Sequence, residues 1–204
     1  MQIYNLKTAH APRVRGLTVV ELMVGVVVLG IVLSVAVPNF TQFIQTNNLI
    51  AEANSTLSGL NLARSEAIKQ NTSTIFCHSS DGETCNSAPA AGWEGYIVRA
   101  INDVEPILSQ RFNNTMTVAS DGAITNSQFN GEGDAIRFSG FGLARVANGN
   151  NAMNGDLTIC ANGLDAEENA RIVRINSGGR MQIITVAGQM DCDAIGAGGE
   201  LDGN

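Results

Sequence analysis

Histidine and positive charge are both scarce in this chain, and each shortage weighs against a class of function. Among 204 residues there are two histidines, His10 and His78, and one tryptophan, Trp93, and aromatics make up 5%. Acid–base catalysis and metal binding draw heavily on histidine, so an enzyme would find few groups to work with. Lys and Arg total 12 against 19 Asp and Glu, and no Lys or Arg stands between Arg15 and Arg64. A net charge of −7 opposes non-specific attraction to phosphate backbones, which depends on clustered cations. Internal repeats are missing as well, and Gly131-Glu-Gly133 and Gly196-Ala-Gly-Gly199 lack the remainder of any nucleotide-binding fingerprint.

What the chain has instead is a membrane-length apolar run behind a short basic head. Leu17 to Val37 is 21 residues with one charge, Glu21. As a helix at 1.5 Å per residue it is roughly 30 Å long, the thickness of a bilayer's hydrocarbon core. A carboxylate inside such a segment costs about 2.5–3.5 kcal/mol even on insertion scales. A cut after Gly16 would start the helix at Leu17, place Glu21 near the positive end of the macrodipole and create a positive α-amino group. Glu21 could then pair with its own amine or with that of a neighbouring helix.

Arg15-Gly16-Leu17-Thr18-Val19-Val20-Glu21, followed by an apolar run that ends in Val37-Pro38-Asn39-Phe40, resembles the type IV prepilin signature. The resemblance implies that a prepilin peptidase cuts after Gly16, that Leu17 becomes a methylated amino terminus, and that Glu21 guides subunits into a helical filament, with Thr18 and Pro38 also on the motif. Leu17 departs from the usual Phe, although a large apolar residue suits the place. Two other readings exist. Ser34-Val35-Ala36 could serve as a signal-peptide cleavage site, but signal cores run 7–15 residues and this run is longer and holds a glutamate. A plain single-span anchor leaves the Gly-Leu-Thr-x-x-Glu spacing unexplained.

Lys7, Arg13 and Arg15 precede the run, and basic residues beside a span stay in the cytoplasm, so the body of the chain is expected in the periplasm. Past the cut nine basic residues face nineteen acidic ones, a net −10. After Pro38 the apolar residues become periodic, with Phe43, Ile50, Ala53, Leu57, Leu60 and Ala67 on one stripe. This spacing predicts an amphipathic helix that leaves the membrane, bends at Pro38 without breaking and ends near Gln70. Phe40 to Ile50 is expected to meet partners, and Leu57 to Ile68 the globular domain. From Thr74 onward short β-prone runs alternate with Gly, Asn, Asp and Ser: Thr74–His78, Gly95–Ala100, Ile107–Phe112, Met116–Ala119, Ala135–Phe138, Asp156–Cys160, Arg171–Ile175 and Met181–Val186. The last two read as a hairpin across Ser177–Arg180.

The expected fold is therefore α+β, a long N-terminal helix packed on an antiparallel β-sheet domain. Residues 1–16 form the leader, 17–70 the helix with its transmembrane part at 17–38, and 71–204 a periplasmic β-rich domain. This second half resembles the GspH/FimT/FimU group of minor pilins and pseudopilins at Cys77 and Cys85, Gly92-Trp93-Glu94-Gly95-Tyr96-Ile97-Val98, Ile136-Arg137-Phe138, Leu157-Thr158-Ile159-Cys160, and Arg171-Ile172-Val173 leading to Gly179-Arg180. The resemblance implies a subunit without enzymatic activity or cofactor, in the bacterial inner membrane and then in a filament, that assembles with other pilins or pseudopilins through its N-terminal helix.

Four cysteines in an exported domain are expected to pair. Cys77 with Cys85 would close the turn around Asp81-Gly82, and Cys160 with Cys192 would tie down the C-terminus. A zinc site at Cys77-His78 and Cys85 lacks a fourth ligand nearby. Acidic clusters at Asp165–Glu168 and Asp191–Asp193 could bind calcium but read better as solvated surface, and Trp93 and Tyr96 read as core rather than as a base-stacking platform. Some FimT-type pilins bind DNA through a Gly-Arg-x-Arg motif. Arg180 fills its first arginine place, but Gln182 holds the second, so Arg171, Arg174 and Arg180 are the candidate DNA contacts of a reading that the sequence does not favour.

Overall fold

The computed structural model describes residues 16, 18–89, 91–129, 132–164, 168–188 and 190–196, with the backbone alone at Val35, Pro38, Asn39 and Glu132. The basic head, Leu17 and Asp165 to Glu167 lie outside these residues. The chain divides into two compact units, Met1–Thr41 and Gln42–Asn204.

A single helix, α1, runs from Val19 to Gln70, continuous through Pro38. In the first unit its side chains are exposed. Among the described residues no helix is long and apolar enough to cross a membrane. The spanning reading rests on the sequence, in which Leu17 to Val37 carries one charge, Glu21.

In the second unit α1 buries Leu49, Ala53, Thr56, Leu60, Ala63 and Ala67, alternating steps of four and three that keep one stripe facing inward. The domain face thus begins at Leu49, earlier than the sequence suggests. Phe43, Ile50 and Ile68 stay exposed, because each lies about one residue off this stripe. Small residues let the helix approach closely: a Cβ at Gly59 would stand 2.6 Å from the Tyr96 ring. The Tyr96 hydroxyl donates to the Ser55 carbonyl at 3.0 Å and fixes the helix rotation.

Among the described residues the helix packs on ten strands in two antiparallel sheets, an α+β fold. In the larger sheet β1 (Thr74–His78) lies between β2 (Gly95–Ala100) and β6 (Glu132–Phe138). Strand β3 (Leu108–Arg111) borders β2, while β5 (Gln128–Phe129) and β7 (Ala144–Val146) share the far edge of β6. The smaller sheet has the order β10 (Met181–Thr185), β9 (Ala170–Ile175), β8 (Gly155–Ala161), β4 (Met116–Ser120). Short helices α2 (Gly122–Thr125) and α3 (Cys192–Gly196) complete the described elements.

The inner faces supply Phe76, Tyr96, Val98, Ile136, Phe138, Leu157, Ile159 and Val173 to one core with α1. Trp93 belongs to it, 4% exposed, its indole donating to Ser120 Oγ at 3.2 Å. Two satellite clusters lie on the outer faces, one around Cys77–Cys85 and one around Cys160–Cys192. Each disulfide therefore covers strand surface that α1 cannot reach.

Candidate functional site

The helix start is built from Thr18 and Glu21. Thr18 Oγ1 accepts the Glu21 backbone N–H at 3.2 Å and the Thr18 carbonyl accepts the Leu22 N–H at 3.2 Å, so Thr18 caps α1. The Thr-x-x-Glu spacing is that of a capping box. Gly16 is exposed and a Cβ there would meet nothing within 4 Å, while Leu17 lies outside the described residues. The Glu21 carboxylate has no hydrogen bond or ion pair among the described residues. Its exposed position in the first turn leaves it open to a partner on another chain. Beyond it, apolar side chains including Leu22, Met23, Val26, Leu29, Ile31 and Leu33 are 49–64% exposed. Pro38 is helical in backbone and its side chain lies outside the described residues.

The β9–β10 hairpin forms across Asn176–Arg180, with the Asn176 N–H donating to the Arg180 carbonyl at 2.9 Å and the Gly179 N–H to the Asn176 carbonyl at 2.8 Å. Gly179 has φ +75°, and a Cβ there would collide with the Gly142 carbonyl oxygen. That close approach seats the hairpin against the β6–β7 turn, where Arg64 of α1 also donates to Gly142 O at 3.1 Å.

The three hairpin arginines have different fates. Arg171 is buried, donates to the carbonyls of Glu168 and Ala170, and pairs with the Glu168 carboxylate at 3.4 Å. Arg174 grips Asp156, its cross-strand neighbour on β8, through Nε at 2.9 Å and Nη2 at 2.7 Å. Arg180 is exposed and its side chain makes no hydrogen bond or ion pair among the described residues. The structure thus brings three cations to one hairpin but leaves one of them open to an incoming phosphate.

Both disulfides follow the pairing expected from sequence, Cys77 with Cys85 and Cys160 with Cys192. With its sulfur in a bond, neither Cys77 nor Cys85 is a thiolate ligand, and His78 is buried with Nδ1 2.7 Å from the Asn86 carbonyl. Asp81 organises the Cys77–Cys85 loop: its carboxylate accepts from the Thr84 hydroxyl, from the Thr84 and Glu83 amides and from Ser79 Oγ, which holds its pKa well below the usual carboxylate range. Asp191 accepts from the amides of Asp193 and Ala194, and Asp165 lies outside the described residues. Among the described residues no cluster of His, Cys, Asp or Glu could hold a metal ion. Three further arginines, Arg99 on β2, Arg137 on β6 and Arg145 on β7, could not be read as a group from the sequence because only strand register brings them together.

Residues 52–179 match the family model for the type II transport protein GspH, and residues 12–37 match the prokaryotic N-terminal methylation motif. No curated protein sequence matches the chain. Among solved structures it is similar to the type IV minor pilin FimU of Pseudomonas aeruginosa, with 21% identity, a TM-score of 0.49, and coverage of 70% of this chain and 92% of that one. It is also similar to the minor pseudopilin EpsH from the type 2 secretion system of Vibrio cholerae, with 12% identity, a TM-score of 0.46, and coverage of 68% and 97%.

Proposed function

Given that the chain belongs to the GspH family of type II transport proteins and carries a prokaryotic N-terminal methylation motif at its head, we propose that it is a minor pilin, a structural subunit without catalytic activity that primes or tips a type IV pilus. In this reading a prepilin peptidase cuts after Gly16, Leu17 is methylated, and the first half of α1 holds the chain in the inner membrane with the β domain in the periplasm. Other pilins then take up that half-helix in the filament.

The observation that carries the proposal is the combination of a capped helix start, one unpaired carboxylate and a stretch of apolar surface left in the open. From Val19 to Val37, thirteen large apolar side chains among the described residues are exposed. At about 1.5–3 kcal/mol for each buried side chain, leaving them in water would cost more than the roughly 5–15 kcal/mol by which a domain is stable. Lipid before assembly, and packed helices after it, are the surroundings that remove this surface from water.

A second reading, a minor pseudopilin of a type II secretion system, is favoured by the description of the matching family. Sheared surface filaments separate the two. The pilus reading expects the chain in filaments sheared from the cell, and loss of those filaments on deletion. Retention in the cell envelope, with loss of protein secretion on deletion, would transfer the assignment to the secretion system.

The DNA-uptake reading is not supported by the hairpin's chemistry. A phosphate contact needs a cation that is free to release counterions, and Arg171 and Arg174 are already engaged by Glu168 and Asp156. We expect duplex DNA to bind more weakly than micromolar at physiological salt in a gel-shift titration. Micromolar or tighter binding that Arg180→Ala abolishes would overturn this and make DNA a ligand.

A further inference from the structure

The register of the larger sheet carries three arginines into one line. Ile75 of β1 faces Arg99 of β2 on one side and Arg137 of β6 on the other, and Arg137 in turn faces Arg145 of β7. Directly opposed residues share a face of a sheet. Arg99, Arg137 and Arg145 therefore stand on the outer face, the one that carries Cys77–Cys85, in a row about 15 Å long at ordinary strand spacing.

Among the described residues this row has no internal counter-charge. Ion pairs among the described residues use Lys69, Arg171 and Arg174. The Arg99 guanidinium lies 5.2 Å from the centre of the Phe129 ring, and its Nε is buried without a hydrogen-bond partner among the described residues. Arg137 donates to Ser73 Oγ at 3.0 Å, to Asn150 Oδ1 at 3.1 Å and to the Gly149 carbonyl, all neutral acceptors. Arg145 makes no side-chain hydrogen bond or ion pair among the described residues. Burial and the neighbouring Arg145 both push the Arg137 pKa down. Like charges directly opposed on adjacent strands destabilise a sheet, yet three of the nine cations downstream of Gly16 stand here, in a chain with 19 acidic residues.

We propose that this row is a docking surface for an acidic segment of a protein partner. A guanidinium offers a planar fork of donors that matches a carboxylate in two hydrogen bonds. An extended peptide sets same-face side chains about 6.5–7 Å apart, so two or three carboxylates at alternate positions fit a row of this length. Nucleic acid fits less well, because affinity for a phosphate backbone grows with the number of cations engaged and the rest of the chain repels a long polyanion. The row lies in the larger sheet and Arg180 in the hairpin of the smaller one, so the two surfaces can be tested separately.

The test uses full-length protein in detergent and a fluorescein-labelled hexaglutamate peptide, read by anisotropy at low and physiological salt. Saturable binding at low salt is expected, weakened about tenfold by Arg145→Gln, since the variant loses a charge-assisted hydrogen bond to the peptide. Arg180→Gln should leave it unchanged. Arg145 has no side-chain hydrogen bond or ion pair to lose among the described residues, so this variant is expected to keep the fold, and an unchanged thermal melt verifies that. Absence of binding at low salt, or equal binding by the Arg145→Gln variant, overturns the proposal. So does tighter binding of a six-nucleotide single strand through Arg145, which would make the row a nucleic-acid surface.

Discussion

Glu21→Ala is expected to leave the chain membrane-inserted and cut after Gly16, yet to lower its recovery in sheared filaments at least about tenfold. An ionised carboxylate in the proposed span costs about 2.5–3.5 kcal/mol, and a helix N-terminus returns typically 0.3–1 kcal/mol of that. The balance needs a positive partner, and the carboxylate has none among the described residues of its own chain. Cleavage after Gly16 would create one, the amine of Leu17, which on a neighbouring subunit could pair with a carboxylate in the first turn of α1. In the proposed function, removing the carboxylate would remove the attraction that draws a subunit into register. A loss of about 1.4 kcal/mol is already tenfold in an equilibrium. Insertion should not suffer, since alanine is cheaper in lipid than glutamate. Quantitative immunoblotting of membrane and sheared fractions reads both outcomes, and equal recovery of variant and wild type would count against any role for this charge.

The second large effect is expected at the C-terminal disulfide. Cys160 and Cys192 are separated by 32 positions, and the chain-entropy estimate gives such a loop about 3–4 kcal/mol, against about 2.5 kcal/mol for the eight-position Cys77–Cys85 loop. Cys160 sits in the middle of the smaller sheet, and Cys192 begins α3, whose Ile195 packs with Ala119 and Ala170 over that sheet's outer face. Without the bond this cover can lift away. The Cys160→Ser, Cys192→Ser double variant should therefore melt roughly 10 °C lower, since 1 kcal/mol is worth about 2–4 °C in a domain of this size. The Cys77→Ser, Cys85→Ser variant should lose less. Thermal denaturation of both, under non-reducing conditions, checks the order, and a C-terminal variant as stable as wild type would remove the disulfide from the account.

Where sequence reading worked and where it failed follows from the range of the interactions. Strands β1 and β2 begin and end where their β-prone runs do, because Thr74–His78 and Gly95–Ala100 are bounded by turn residues and sit in or beside the sheet centre. Helix α1 ends at Gln70 as expected, just before Asn71, whose φ of +51° closes the helix. Strands β5 and β7 were missed, since two and three residues are too few to show a period. Ala53, Leu60 and Ala67 of the expected α1 stripe are buried, whereas Phe43 and Ile50 are exposed and Leu57 is half-buried, because Leu49 and the polar Thr56 take the inward positions. At the hairpin, sequence supplied Arg171, Arg174 and Arg180 but not their fates. Asp156 neutralises Arg174 from 18 positions away, across a strand pair whose register local pattern does not fix. The Arg99–Arg137–Arg145 row was hidden for the same reason. By contrast, Gly16, Thr18 and Glu21 lie within one six-residue stretch, so the motif they form can be read without the fold.

Intact mass of the protein extracted from membranes is the most direct measurement. The proposed function predicts a chain that starts at Leu17, one methyl group heavier than the unmodified residues 17–204, because Gly16 precedes the capped helix start at Thr18 and the carboxylate of Glu21. A mass that begins at Met1, or one that begins at Val37 after a signal-peptidase cut, would contradict the prepilin account and leave the exposed apolar half of α1 as an ordinary anchor or a discarded signal.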